Sequence, residues 1–308
     1  MSVSQQPVSK ISSSSYRIGT GQSFGTFGEL LQGVFEDETN FLVTLPIARY
    51  SKASFISHVE IEEIEVFPSY KKKSQQLASQ ILHHFGLPAG GYLKIESELP
   101  EGKGLASSSA DLVATARSIE ECFQIEIPME LLETLMSKIE PSDGVMYPGI
   151  VSYCHRKVEL YRFMGSLPSI TIIGIDEGGE VDTLDFNRIP KEFTLEEKKE
   201  YFQLHQQITL AIQEQDLETV GKVATRSAVL NQRFQPKANL DLIMELSDSI
   251  GGLGVAVAHS GTYLGLLLSS IDPQYEEKYR KAYEYLSKLD KEMLICHSLN
   301  FEEGLESC

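Results

Sequence analysis

The sequence predicts an α+β fold in two halves, and three observations carry that expectation. A strand-like run, Tyr92 to Ser97, feeds a Gly- and Ser-rich loop that opens a helical pattern. Strand-like runs and amphipathic helical stretches alternate through the rest of the chain. Beyond Ser166 the order becomes a strand, helices, a hairpin, a helix and a strand. That order suits mixed antiparallel strands covered by helices on one face. The expected division is 1–15 as a disordered lead-in, 16–165 as a first domain and 166–308 as a second.

The elements follow in order. From Arg17 to about Phe67 the chain reads mostly as strands, clearest at Phe41 to Leu45 and Ala53 to Ile56, where β-branched and aromatic residues cluster. Ser69 to Phe85 reads as a helix that stops at Gly86, with Pro88 beyond. After the strand and loop, Leu112, Val113, Ala116, Ile119 and Phe123 recur at threes and fours and define the next helix. Met129 to Ile139 is a helix with Leu131, Leu132, Leu135 and Met136 on one face; it stops at Pro141 and Gly144. Ile150 to Tyr153 and Val158 to Tyr161 form a strand pair. Ile170 to Ile175 is a strand, and Thr194 to Glu214, Leu217 to Leu230 and Leu240 to Ile250 are helices. Val255 to His259 and Tyr263 to Leu268 flank Ser260-Gly261-Thr262 as a hairpin. Pro273 to Leu289 is the last helix, followed by a strand near Met293 to His297.

Bulk properties narrow the function. With 308 residues and 42% apolar composition, the chain has material for one large or two medium domains. A net charge of −17 excludes the basic footprint of general nucleic-acid binding. An acidic chain that binds a nucleotide has to do so through local dipoles and a metal. Cys122, Cys154, Cys296 and Cys308 are scattered without zinc spacing, which suits a reducing compartment. His83-His84 sit on a helix as exposed or half-buried residues rather than as ligands. No apolar run reaches the roughly 18–20 residues of a membrane span. Met1 to Ser15 is polar and lacks a signal-peptide apolar region. The expectation is a soluble, cytoplasmic protein with no membrane or nucleic-acid partner.

The loop Pro100-Glu101-Gly102-Lys103-Gly104-Leu105-Ala106-Ser107-Ser108-Ser109 is the most informative segment. Backbone N–H groups at a helix start lack intrahelical partners, and the helix dipole adds positive character. Small residues let a phosphate approach, and serine hydroxyls suit the Mg2+ of a nucleotide. The same serines also serve as ordinary helix caps. The loop is neither a Walker A motif nor a dinucleotide fingerprint. Lys103 reads equally as a phosphate contact and as an exposed loop lysine, and Asp111 reads as a first-turn residue stabilised by the dipole. Lys138 to Gly144 adds two carboxylates three residues apart, Glu140 and Asp143, at a helix end.

The loop resembles the second motif of the GHMP kinases, through Pro100, Gly104, Leu105, Ser107, Ser108 and Ala110; Ala106 replaces the more usual Gly and Ser109 an Ala. Two further segments share the resemblance. Gly28-Glu29, within Gly-Glu-Leu-Leu-Gln-Gly, is similar to the family's first motif and to its L-threonine kinase branch, with Phe24 where a Pro often sits. Ala258-His259-Ser260-Gly261-Thr262 resembles a reduced third motif. The resemblance implies a ribosomal protein S5 domain 2-like first domain, a ferredoxin-like second domain and a cleft between them. It implies ATP and Mg2+ as cofactors, with Pro100, Gly102, Lys103, Gly104, Leu105, Ala106, Ser107, Ser108 and Ser109 around the nucleotide. Ser108 and Glu140 would hold the metal, Asp143 would be catalytic, and Gly28, Glu29, Ser260, Gly261 and Thr262 would meet the substrate. Arg226 and Asn231 become candidates for a substrate carboxylate. The implied reaction is phosphorylation of an aliphatic hydroxyl, L-threonine to O-phospho-L-threonine for the cobalamin linker. Homoserine or serine as substrate, and a non-catalytic sensor of nucleotide and metabolite, are the alternatives.

Overall fold

The computed structural model describes residues 16–58, 60–179 and 191–301; the expected lead-in over 1–15 and Cys308 lie outside them. The first half opens with two 19-residue strands, β1 (Tyr16–Val34) and β2 (Asn40–His58), paired antiparallel along their length. Register shifts fall between Phe24 and Gly25 and on both sides of Glu29. Such bulges break the alternation of faces and re-aim individual side chains.

The short β3 (Ile64–Phe67) leads to α1 (Lys72–His84) and then β4 (Gly91–Ser97), which pairs parallel with β3 and antiparallel with β2. The glycine-rich loop follows and runs into α2 (Ser107–Phe123), then α3 (Met129–Ser137), β5 (Ile150–Cys154) and β6 (Glu159–Gly165). Buried Leu77, Ile81, Leu112, Ile119, Leu132 and Met136 join these three helices to the inner faces of β2 and β4 in one core.

In the second half, β7 (Ile170–Asp176) is followed by α4 (Leu195–Gln213), α5 (Leu217–Asn231) and α6 (Leu240–Ile250). Then come the hairpin β8 (Gly254–Val257) and β9 (Tyr263–Ser269), α7 (Tyr275–Leu286) and β10 (Met293–His297). Their spatial order β10-β7-β9-β8 is the ferredoxin-like arrangement, and β8 continues through Glu29↔Val257 into β1, β2, β4 and β3. Covering is two-sided here rather than one-sided. Ile173 and Ile175 of β7 pack toward α6 and α7, whereas Ile170 and Ile172 join Phe27, Tyr201 and Ile208 in a second cluster. A strand buried on both faces reads as the unbroken apolar run seen at Ile170 to Ile175. Among the described residues no helix is long and apolar enough to cross a membrane.

Candidate active site

The loop that enters α2 takes left-handed backbone at alternate positions: Gly102 (φ 69°), Gly104 (φ 81°) and Ala106 (φ 56°). Alternation of this kind turns successive N–H groups into one concavity, and the unbonded N–H groups of the first turn of α2 extend it. Ala106, at the N-cap, pays for its Cβ there, since a left-handed residue other than Gly costs roughly 1–2 kcal/mol. Ala106→Gly is therefore expected to raise stability by about 1 kcal/mol in urea denaturation, without loss of nucleotide binding.

The three glycine-bearing segments meet backbone to backbone. Gly28 N–H donates to the Gly104 carbonyl (3.3 Å), Thr26 N–H to the Leu105 carbonyl (3.2 Å) and Thr262 N–H to the Lys103 carbonyl (3.2 Å). A Cβ on Gly261 would lie 2.1 Å from the Lys103 carbonyl, and one on Gly28 2.3 Å from that of Val257. Gly28, Gly104 and Gly261 thus form a node that fixes the loop between β1 and the β8–β9 turn. Gly261 is held further by Lys237 Nζ (2.5 Å) and Gln235 Nε2 (2.7 Å), both donating to its carbonyl. Gly261→Ala has to displace main chain, and a loss of about 3 kcal/mol together with most nucleotide affinity is expected; thermal melts with and without ATP check it.

A cavity of about 460 Å³ opens over this node. Ser107, Ser108 and Ser109 line it, as do Gly102, Gly104, Leu105 and Ala106. Ser108 Oγ donates to Glu140 Oε1, and Lys73 Nζ donates to the other oxygen, Oε2, at 2.5 Å. Asp143 N–H donates to Ser109 Oγ (3.0 Å). Burial, and then the nearby Glu140, push the Asp143 carboxyl up to about 6. Glu29, re-aimed by the bulges of β1, is also pushed well above the usual carboxylate range, by burial first and Asp143 second. Its Oε2 is buried without a hydrogen-bond partner. Ser260 lies on the cavity wall beside His259, and Thr262 is buried just behind.

Other candidate residues point elsewhere. Pro100 starts the loop, half-buried, beside Glu101, which lines the cavity. Lys103 Nζ is engaged by Asp176 Oδ2 (2.6 Å) and the Gly179 carbonyl (2.7 Å). Asp111 is buried and takes Ser51 Oγ (2.5 Å) and Lys71 Nζ (2.6 Å). Arg226 makes a two-pronged pair with Glu200, and Asn231 is buried in α5.

Lysines 71 and 73, which sequence reasoning passed over, bring positive charge to the cavity in an acidic chain. Their signal was available: Lys71-Lys72-Lys73 is a run of three at the head of a helix. His155 and His259, also on the wall with ring centroids 4.8 Å apart, had no sequence signal, because they belong to different turns.

Residues 72–149 match the family model of the GHMP kinases N terminal domain. The chain is 26% identical to an L-threonine kinase of Citrobacter freundii over 246 residues, which is 78% of this chain and 83% of the relative. It is also 26% identical to an L-threonine kinase of Salmonella typhimurium over 259 residues, covering 82% of this chain and 83% of that one. Among solved structures, homoserine kinase from Cytophaga hutchinsonii shares the fold with a TM-score of 0.71 at 14% identity, covering 96% of this chain and 98% of its own. Mevalonate kinase from L. major does so with a TM-score of 0.65 at 15% identity, covering 94% and 97%.

Proposed function

Because this chain belongs to the GHMP kinase family, we propose that it transfers the γ-phosphoryl group of ATP to the hydroxyl of L-threonine, giving O-phospho-L-threonine and ADP. The observation that carries the reading is the convergence of Glu140, Asp143 and the amino end of α2 on one cavity. The L-threonine assignment draws its support from the two relatives matched over about four-fifths of the chain. A cytoplasmic enzyme that supplies the cobalamin linker is the physiological side of the same proposal.

The residues suit a nucleotide carried with Mg2+. Ser108 Oγ and Glu140 Oε1 are adjacent hard oxygen ligands of the kind Mg2+ takes, and the Lys73 ammonium already pairs with Oε2. Ser108 and Glu140 would hold Mg2+, which when bound neutralises charge on the β- and γ-phosphates. The loop N–H groups and the start of α2 bind the phosphate oxygens. Lys71, paired with Asp111 and Glu101, and Lys73, paired with Glu140, line the same cavity and would add positive charge near the phosphates.

Asp143 orients the acceptor hydroxyl and takes its proton as the oxygen bonds to the γ-phosphorus and the bond to the bridging oxygen of ADP breaks. A carboxylate raised to about 6 is basic enough for that role and still ionised at neutral pH. Glu29 and Ser260, across the cavity, are the contacts proposed for the rest of the acceptor. The cleft would then lie between the units 16–165 and 166–308. Contact of both carboxylate segments with the loop serines favours catalysis over a sensor role.

The test is ADP release from Mg-ATP with L-threonine, L-serine and L-homoserine. Turnover fastest with L-threonine is expected, and faster turnover with either other alcohol would move the substrate. Discrimination among them by a methyl or methylene is worth only about 1–3 kcal/mol, so kcat/KM ratios of roughly 10 to 200 are the relevant readout. ATP binding without turnover on any alcohol would refute the kinase reading.

A further inference from the structure

One part of the cavity wall, carrying Glu29, His155 and His259, is unused by the phosphoryl chemistry. Glu29 is 3% exposed and its Oε2 has no hydrogen-bond partner. His155, from the β5–β6 turn, and His259, from the β8–β9 turn, line the same cavity, one ring set against the other at 66°. His259 Nδ1 lies 2.6 Å from Gln32 Oε1. An amide oxygen only accepts, so Nδ1 carries the proton and the neutral ring keeps its lone pair on Nε2. Burial, then His155, Lys191 and Arg156, hold His259 well below the usual imidazole range, which keeps the ring neutral.

A buried carboxylate oxygen without a donor is unfavourable, more so with the Asp143 carboxyl near enough to raise it further. A ligand bearing a positive charge and several N–H donors relieves both problems at once. A carboxylate or phosphate placed there would worsen them. Ammonium has this chemistry, with three donors in a compact group.

We propose that Glu29, with the imidazoles of His155 and His259 lining the same cavity, binds the ammonium group of the acceptor, so that the enzyme selects hydroxylated amines. The word acceptor rests on the kinase reading above; the ammonium site itself does not. Glu29 on β1 pairs with Val257 at the end of β8, two residues before His259 in the β8–β9 turn, so that carboxylate and imidazole reach the pocket from neighbouring segments.

Three probes separate the functional groups of L-threonine: L-threonine itself, (R)-1-amino-2-propanol without the carboxylate, and (R)-3-hydroxybutanoate without the amine. Calorimetric binding is measured to the full chain with a non-hydrolysable ATP analogue and Mg2+, for wild type, Glu29→Gln and His259→Asn. The expected result is that wild type binds both amines at least tenfold more tightly than hydroxybutanoate, and that Glu29→Gln shrinks this preference to within about twofold. His259→Asn keeps a donor for Gln32 and is expected to give an intermediate preference, which guards against misfolding of the Glu29 variant. Titration in buffers of different ionisation enthalpy adds a second readout. Glu29, raised in the empty pocket, is expected to release a proton when the ammonium binds, and Glu29→Gln is expected to abolish that release.

Equal binding of hydroxybutanoate and L-threonine by wild type would overturn the proposal. So would equal weakening of all three ligands in Glu29→Gln. Amine binding without turnover would refute the kinase reading while supporting the ammonium site, so the two ideas fail separately.

Discussion

Asp143→Asn is expected to lower kcat by about 10²–10⁴-fold with L-threonine while leaving ATP affinity within about twofold, because the role proposed for the carboxylate is on the acceptor rather than on the nucleotide. Wild-type kcat/KM is expected to fall tenfold per unit below about pH 6, where the Asp143 carboxylate becomes protonated. The variant should lack that limb. An unchanged kcat, or an acid limb that survives in the variant, would remove Asp143 from the reaction.

The same substitution should stabilise the fold. Asp143 is raised from the 3.8 of an ordinary aspartate to about 6, by burial first and Glu140 second. A carboxyl raised by folding contributes stability that is fully present below the unfolded pKa and is lost as pH rises through the folded one. Above about pH 6 the ionised, half-buried Asp143 thus destabilises the protein by about 3 kcal/mol relative to pH below 4. Asparagine carries no charge at any pH. Asp143→Asn is therefore expected to exceed wild type by about 1–3 kcal/mol in urea denaturation at pH 8, with the difference vanishing toward pH 4. Loss of activity with gain of stability would mark a group held in place for chemistry.

Glu140→Ala is the second large effect. One oxygen of Glu140 takes Ser108 Oγ and the other takes Lys73 Nζ. Removing the carboxylate takes away the charged half of the proposed metal site. A fall of about 10²–10³ in kcat/KM is expected, with the Mg2+ needed for half-maximal rate rising at least tenfold. Stability should change little. The Lys73 side chain is 44% exposed, so its freed ammonium returns to water and the loss stays near 1 kcal/mol rather than the 3–5 kcal/mol of a buried pair. Glu140→Gln keeps the hydrogen bond from Ser108 but not the charge, and is expected to show the same Mg2+ shift. A normal Mg2+ dependence in either variant would assign Glu140 to fixing the loop alone.

Much of this was readable from residue order. The helix at Ser107–Phe123 was legible because its apolar residues recur at threes and fours, and local periodicity reports which face is buried. The glycine loop could be picked out from its place between a strand and a helix, whereas Gly28-Glu29 and Ser260-Gly261-Thr262 stood out only through their resemblance to the GHMP kinase motifs. The 19-residue length of β1 was not legible, since its bulges interrupt the alternation that identifies a strand. Nor was the second covered face of β7, because a continuous apolar run does not say what lies on each side.

What the sequence by itself determined is the order of elements and the residue types on hand: a phosphate-sized loop, two carboxylates after a helix, and glycines at three distant points. Only the tertiary structure decided their partners. It set Gly28, Gly104 and Gly261 against one another, gave Lys103 to Asp176 rather than to the cavity, and brought Lys73 to Glu140. It also joined Gln32 to His259 across 227 positions. Local pattern encodes burial within one element, whereas a contact between elements depends on how whole sheets and helices close around a shared core, and no neighbouring residue carries that information.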